Sequence, residues 1–157
     1  MFGLFKKKVE LKAVANGRCI PLEEMADEAF ASKALGDGVA IVPADGTVAS
    51  PCDGAIALLP ETRHAFVVTR DDGQQVLVHV GIDTVALGGE GLHAFAKPGD
   101  AVRAGQPVIE FEPATMAERG LDMTVAMVLL DAGDKRVEKP ALGRQVARGS
   151  DVVVTYR

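Results

Sequence analysis

The sequence lacks tryptophan, and it has only one tyrosine, six phenylalanines and two cysteines in 157 residues. No apolar run approaches the roughly 20 residues that a membrane-spanning helix needs, so a spanning segment is not expected. Basic residues are fewer than acidic ones, 17 against 22, giving a formal net charge of −5. Nucleic acid is therefore not an expected partner, because binding it requires a clustered basic face. An acidic protein can still dock onto a basic protein surface.

The two cysteines, Cys19 and Cys52, stand far apart in the sequence and form no C-x-x-C motif. The chain shows no secretory signal pattern. We therefore expect both to be reduced thiols of a cytoplasmic protein, without a role in metal binding.

Residues 1–8 place an apolar stretch before three lysines. We interpret them as a short N-terminal tail that is frayed; the alternative is weak, peripheral contact with the anionic inner face of a membrane. Residues 9–157 are then expected to form a single domain, since their number suits one hydrophobic core.

Turn signals rich in glycine, proline and aspartate recur at residues 15–17, 35–38, 43–46 and 51–54, with short β-branched runs between them. This spacing predicts an all-β fold, an antiparallel sandwich or barrel, with short helical turns within residues 22–35 and 113–121. Segments 49–57 and 97–112 resemble the turn-rich, duplicated hybrid motif of biotinyl and lipoyl carriers. No turn carries the modifiable lysine tripeptide of such carriers, which argues against a swinging arm.

Two apolar runs, residues 61–68 and 75–85, flank the turn signal 70–73, so we predict a β-hairpin with one histidine on each arm. Alternation in the second arm predicts Val76, Val78, Val80 and Ile82 on the core face and His79 on the other. A loop with an even number of residues would place His64 opposite His79. A loop with an odd number would shift the register by one residue and send the histidines to opposite faces.

Either histidine, taken alone, is more often an ordinary surface residue than a catalytic one. Their mirror-related spacing and apolar neighbours favour a shared site on a docking surface. The side chains expected around the pair are Phe30, Val39, Phe66 and Leu77.

Several motifs, taken together, resemble the glucose-family enzyme IIA component of the bacterial phosphoenolpyruvate-dependent sugar phosphotransferase system, over nearly the whole chain. They are residues 36–41, 51–54, 61–66, 78–85, 89–91 and 105–109. Among them, the histidine-valine-glycine-isoleucine-aspartate string that begins at His79 is the most specific. The sequence departs from relatives at Pro60, Arg63 and Leu77, where asparagine or aromatic residues are frequent.

The resemblance implies that His79 accepts a phosphoryl group, as a tele-phosphohistidine, from the histidine-containing phosphocarrier protein. It then passes the group to a cysteine of a sugar-specific IIB domain, which works with a IIC component. His64 is expected to donate a hydrogen bond to the phosphoryl group, and the Thr62 hydroxyl to accept from His64 and fix its tautomer. Asp83 is a candidate for an electrostatic role, and Gly81 for close approach of a partner backbone. No cofactor is required.

Other functions remain open at this point. The H-x-x-x-D spacing of His79 and Asp83, with His64, suggests a zinc-dependent hydrolase, although such enzymes usually carry histidine where Leu77 stands. A non-catalytic binding module is a further alternative. The resemblance also implies regulatory targets and a zinc ion held by His64 and His79 together with a partner. The sequence leaves open which sugar pathway is served.

Overall fold

The computed structural model describes residues 7–157. Within this range the chain forms fourteen short strands and little helix. The strands are β1 (Val9–Lys12), β2 (Gly17–Pro21), β3 (Gly38–Pro43), β4 (Thr47–Ala49), β5 (Gly54–Leu58), β6 (Ala65–Thr69), β7 (Gln75–Val80), β8 (Leu92–Ala94), β9 (Ala101–Val102), β10 (Pro107–Phe111), β11 (Val125–Leu130), β12 (Val137–Glu138), β13 (Gln145–Val146) and β14 (Val152–Tyr156). The helices are α1 (Glu28–Ala31) and α2 (Pro113–Glu118), with 3-10 turns at Leu22–Glu24 and Thr84–Leu87.

The strands build one large antiparallel sheet and two small ones. The large sheet has the order β13-β2-β3-β11-β7-β6-β5-β9, and the small sheets have the orders β1-β14-β12 and β4-β10-β8. The antiparallel all-β class predicted from turn spacing is confirmed. The expected helical turns also form, one before β3 and one before β11.

Strands β6 and β7 form the predicted hairpin, but in a different register. Ala65, not His64, lies opposite His79, and Phe66 lies opposite Val78 rather than Leu77. The connection between the strands consists of residues 70–74, an odd number, since Thr69 pairs with Gln75. The backbone N–H of Arg70 donates to the carbonyl of Gln74 at 2.9 Å and closes this loop. The even-loop register was therefore wrong.

The faces of β7 are as alternation predicted, but Ile82 was wrongly expected on the core face: it lies beyond the end of the strand and packs against the apolar cluster of the other face. Val76, Val78 and Val80 are fully buried in the main core, while Leu77 and His79 lie half-buried on the other face. A second, smaller apolar cluster covers part of that outer face. It consists of Ile20, Leu22, Met25, Phe30, Ala40, Ala126 and Val128, with Leu77, Ile82 and Leu130 packed against it.

Phe66 and Val39 were wrongly expected to surround the histidines. Both side chains are fully buried in the main core with Val78. The one-residue shift in register places Phe66 beside Val78, and Val39 lies opposite Met127, which itself pairs with Val78. Neither side chain can contact a partner, because the sheet itself separates both from the histidine face.

The segment that covers the outer face is held at both ends. Asp27 caps α1, accepting from the backbone N–H of Ala29 at 2.9 Å, which satisfies one of the free donors at the helix start. After the helix, the Asp37 carboxylate forms an ion pair with Lys139, and its Oδ1 atom lies 3.6 Å from Nζ of Lys33. These contacts fix Phe30, the buried residue of α1, over the sheet.

None of the helices within residues 7–157 has both the length and the apolar character that a membrane span requires. The expected N-terminal tail falls mostly on residues 1–6, which lie outside the described residues. Membrane contact by that tail and the single-domain assignment of residues 9–157 both stay predictions.

Candidate functional site

His79 stands near the end of β7, between two small side chains. Ala126 on β11 and Ala65 on β6 lie directly opposite it on either side. Both alanines are buried, and their size leaves the imidazole room to lie over the sheet. The ring is half-buried, so one edge can reach a partner.

The orientation of the His79 ring is set by Gly81. The Nδ1 atom of His79 lies 2.8 Å from the Gly81 carbonyl oxygen, which can only accept. Nδ1 therefore carries the proton and Nε2 holds the free electron pair in the neutral ring. Gly81 has a φ of 80°, and a Cβ there would lie 2.5 Å from Cγ2 of Thr84. It is buried inside this turn, so the prediction that it admits a partner backbone was wrong.

His64 lies one residue before β6, in a bend, where strand alternation no longer applies. Its carbonyl oxygen accepts from the backbone N–H of Val80 at 2.7 Å, which holds it beside the end of β7. The His64 and His79 ring centroids are 5.2 Å apart with the planes at 76°. The predicted pairing of the rings is thus confirmed, although the odd loop had been expected to separate them.

Thr62 binds His64 directly. The Thr62 Oγ1 atom lies 2.7 Å from Nδ1 of His64, as the two-residue spacing predicted. Both histidines therefore use Nδ1 for a contact within the chain. Each Nε2 remains for chemistry or for a ligand.

Apolar side chains border the pair. The Phe30 ring packs on His79 with centroids 5.0 Å apart, and Leu77 lies on the same face of β7. Of the four side chains expected around the histidines, Phe30 and Leu77 are found there.

Burial dominates the electrostatics of the pair. It lowers the pKa of both His64 and His79 from the ordinary value of 6.5, because the charged ring loses hydration. For His79 the bond to Gly81 and the carboxylates Asp27 and Asp83 oppose this lowering of the pKa. Both rings are therefore mainly neutral at neutral pH.

Asp83 is exposed, and its backbone is left-handed, with a φ of 59°. Its side chain makes no capping hydrogen bond to the 3-10 turn that follows. Its influence on His79 acts through charge, in keeping with the electrostatic role suggested by the sequence.

Sequence reasoning missed three contributors: the Gly81 carbonyl, Asp27 and Arg63. Asp27 is remote in sequence, and only the docking of α1 brings it near His79. Arg63 stood out in the sequence only as a departure from relatives, and an arginine gives no signal of left-handed backbone. Its φ is 53°.

A metal centre built by this chain alone does not fit the site. Within residues 7–157 no group of three or more histidine, cysteine, aspartate or glutamate side chains is placed to hold a metal ion. A catalytic zinc needs three protein ligands. The zinc-hydrolase alternative is not supported.

The chain is similar to known proteins in both sequence and fold. Residues 9–134 match the family model described as phosphoenolpyruvate-dependent sugar phosphotransferase system, EIIA 1. The glucose-specific EIIA component of Oceanobacillus iheyensis is 36% identical over 94% of this chain and 90% of its own length. The N-acetylglucosamine-specific EIICBA component of Escherichia coli is 46% identical over 66% of this chain, but over only 16% of its own length.

Among solved structures, glucose permease IIA from Mycoplasma capricolum superposes with a TM-score of 0.86 at 27% identity, covering 97% of each chain. The superposition therefore includes almost the whole of both chains. Family model, relatives and fold thus agree, and the chain belongs to the EIIA 1 family of the phosphoenolpyruvate-dependent sugar phosphotransferase system.

Proposed function

We propose that Nε2 of His79 is the phosphoryl acceptor. The observation that carries this proposal is the bond from His79 Nδ1 to the Gly81 carbonyl, since it leaves the electron pair on Nε2. In the reaction, Nε2 attacks the phosphorus of a phosphohistidine on the histidine-containing phosphocarrier protein. The phosphorus–nitrogen bond of the donor breaks, and its electron pair returns to the donor ring.

The second transfer runs in the same manner. A cysteine thiolate of a sugar-specific IIB domain attacks the phosphorus, and Nε2 of His79 regains its electron pair. Relatives that carry EIIA within an EIICBA chain support such a partner, because there the A segment is joined to B and C segments. The EIIA domain does not bind the sugar in this scheme, so its structure does not indicate which sugar is transported.

His64 is proposed to stabilise the phosphoryl group. Negative charge lies on the phosphoryl oxygens during transfer, and a positioned N–H donor next to them lowers the barrier. A neutral His64 can donate from Nε2 only if Nδ1 is bare and accepts from the Thr62 hydroxyl. We therefore infer that Thr62 donates to His64, rather than accepting from it as the sequence suggested.

The surroundings of the pair suit a protein partner. Phe30 and Leu77 provide an apolar border, while Asp27 and Asp83 add negative charge beside His79. A phosphocarrier with a basic, partly apolar face would complement this surface. The proposed place of action is the cytoplasm.

Regulatory binding by the same face is a second role. Nε2 of His79 can bind a zinc ion directly, and Nε2 of His64 can do so in the other tautomer, in which its Nδ1 donates to the Thr62 hydroxyl. The pair would then supply two of the four ligands of a tetrahedral zinc ion, and a partner carboxylate or water would have to supply the others. Zinc should accordingly bind the isolated chain weakly and a complex more tightly. Tight, stoichiometric zinc on the isolated chain would contradict this role.

Reconstitution tests the proposed function. The chain is incubated with phosphoenolpyruvate, enzyme I and the phosphocarrier, and then with a IIB domain. Acid-labile, base-stable phosphate on the chain, passed onward to the IIB domain, is the expected result. Failure to acquire phosphate from an active phosphocarrier would refute the proposal.

A further inference from the structure

Arg63 adopts a backbone conformation that an arginine rarely takes. Its φ is 53°, in the left-handed region, although it has neither the freedom of glycine nor the short polar side chain of asparagine. Such a conformation persists only where contacts around the residue hold it. In the turn before β6, its backbone N–H donates to the carbonyl of Pro60 at 2.9 Å.

The side chain of Arg63 spans to a distant loop. Its Nε donates to the carbonyl of Leu92 at 2.8 Å, and one terminal nitrogen donates to the carbonyl of Gly89 at 2.9 Å. The fit is close, because a Cβ on Gly89 would lie 2.8 Å from that nitrogen. One guanidinium thus joins the turn at residues 60–63 to the loop that follows the His79 strand.

The two hydrogen bonds of the Arg63 side chain act as a clamp between the turn and the loop, and they hold the backbone next to the histidine pair. Arg63 stands between Thr62 and His64, whose side chains bind each other across it at 2.7 Å. Rotation of the backbone at this residue would move the two apart. The clamped loop begins at the 3-10 turn Thr84–Leu87, only a few residues beyond His79.

We propose that Arg63 is a positioning residue for the histidine pair: by clamping the loop at Gly89 and Leu92, it holds the backbone that aligns Thr62 with His64. This inference rests on the proposed function for its effect on phosphoryl transfer, but its effect on the His64 ring does not depend on transfer. Arg63 itself is not proposed to touch the phosphoryl group.

The test uses Arg63→Ala, Arg63→Asn and Arg63→Lys in the full chain. Alanine removes the clamp and disfavours the left-handed backbone, asparagine tolerates that backbone but cannot reach the loop, and lysine keeps a charge without the two-pronged geometry. The control is Arg119→Ala, because Arg119 also binds this loop, at Glu90, but does not contact the His64 arm. The variants must first show the wild-type circular dichroism spectrum.

The first readout is long-range proton–nitrogen NMR of the unphosphorylated protein with labelled histidine. We expect one His64 tautomer in the wild type and in Arg119→Ala, mixed tautomers in Arg63→Ala, and intermediate spectra for asparagine and lysine. The second readout is transfer from His79 to a IIB domain, which should slow by about 10-fold to 10²-fold in Arg63→Ala, the scale of a small misplacement of reacting groups.

An unchanged His64 spectrum in all three folded Arg63 variants would overturn the positioning role, even if the wild type carries phosphate on His79. Disruption of the His64 spectrum by Arg119→Ala to the same degree would also overturn it, since general loosening of the loop would then suffice. Conversely, a changed His64 spectrum in Arg63→Ala would support the positioning role even if the wild type took up no phosphate, an outcome that refutes only the proposed function.

Discussion

The Nδ1 atom of His79 donates to the carbonyl of Gly81 at 2.8 Å, two residues along the same chain. This short-range contact fixes the tautomer of His79 without help from any other element. His64 is held differently, by Thr62 and by the backbone of Val80. The two rings therefore have separate supports, and substitutions can address each one alone.

Thr62→Val should impair His64 while leaving His79 intact. Valine keeps the shape of threonine but cannot donate to Nδ1, so the neutral His64 ring no longer favours the tautomer with hydrogen on Nε2. Transfer to a IIB domain should slow by roughly 10-fold, a smaller effect than removing the His64 donor itself would have. The measurement is single-turnover transfer from the phosphorylated chain, with Thr62→Ser as the matched control, which should stay close to wild type. Equal rates for the valine and serine variants would contradict this role for Thr62.

Phe30→Ala should both destabilise the protein and raise the pKa of His79. Phe30 is 4% exposed, and emptying such a site costs about 3 kcal/mol in free energy of unfolding. Because burial is the main cause of the lowered pKa of His79, admitting water should shift that pKa back toward 6.5. Denaturant unfolding and an NMR titration measure the two effects. The control is Phe30→Leu, in which both changes should be smaller. If the pKa of His79 did not change in the alanine variant, Phe30 would not be the side chain that shields His79 from water.

Strand alternation and turn signals sufficed to predict the all-β class, the hairpin and the face of His79, because these depend on local periodicity. The register could not be predicted, since it depends on Gln74. This residue looks like the start of a strand, yet it is buried, and its side-chain amide donates to the carbonyls of Gln75 and Leu130 at 2.8 Å. Gln74 therefore belongs to the loop between β6 and β7 rather than to β7, which makes the number of loop residues odd.

That single residue explains the error at Phe66. It moved Phe66 into the main core, and it would have separated the histidines had His64 been inside the strand. The left-handed turn at Arg63 ends the regular strand first, so the rings still meet. Contacts made over long sequence distances, such as Phe30 on His79, had no local signature that could fix their geometry.

Stability should depend on pH through the histidine pair. Folding lowers the pKa of His64 and His79 below 6.5, so at pH values just below 6.5 the unfolded chain binds more protons than the folded one. The free energy of unfolding should therefore fall as the pH drops through 6.5 and stop falling, for this cause, below the folded pKa values. Urea unfolding across this range measures the slope.

The double variant His64→Gln, His79→Gln should show a flatter profile over the same pH range. His93→Gln is the matched control, since His93 is an exposed histidine on β8, and it should keep the wild-type slope. A double variant with an undiminished slope would assign the pH dependence to other groups.

Both cysteines should resist thiol reagents in the folded protein. Cys19 and Cys52 are buried, and burial raises their pKa to about 11 and about 12, so little thiolate forms near pH 8. Ellman's reagent should detect both thiols in denaturant and react only slowly without it. Rapid reaction of either thiol in the folded state would contradict the burial.

The most direct test of the central claim is to locate the phosphoryl group on the ring. The chain is labelled with nitrogen-15 histidine, phosphorylated through enzyme I and the phosphocarrier, and studied by long-range proton–nitrogen and phosphorus NMR. The expected result is phosphate on Nε2 of His79, with Nδ1 still protonated, in both the wild type and His64→Gln, and no phosphate in His79→Gln. Phosphate on His64, or on Nδ1 of His79, would contradict the assignment.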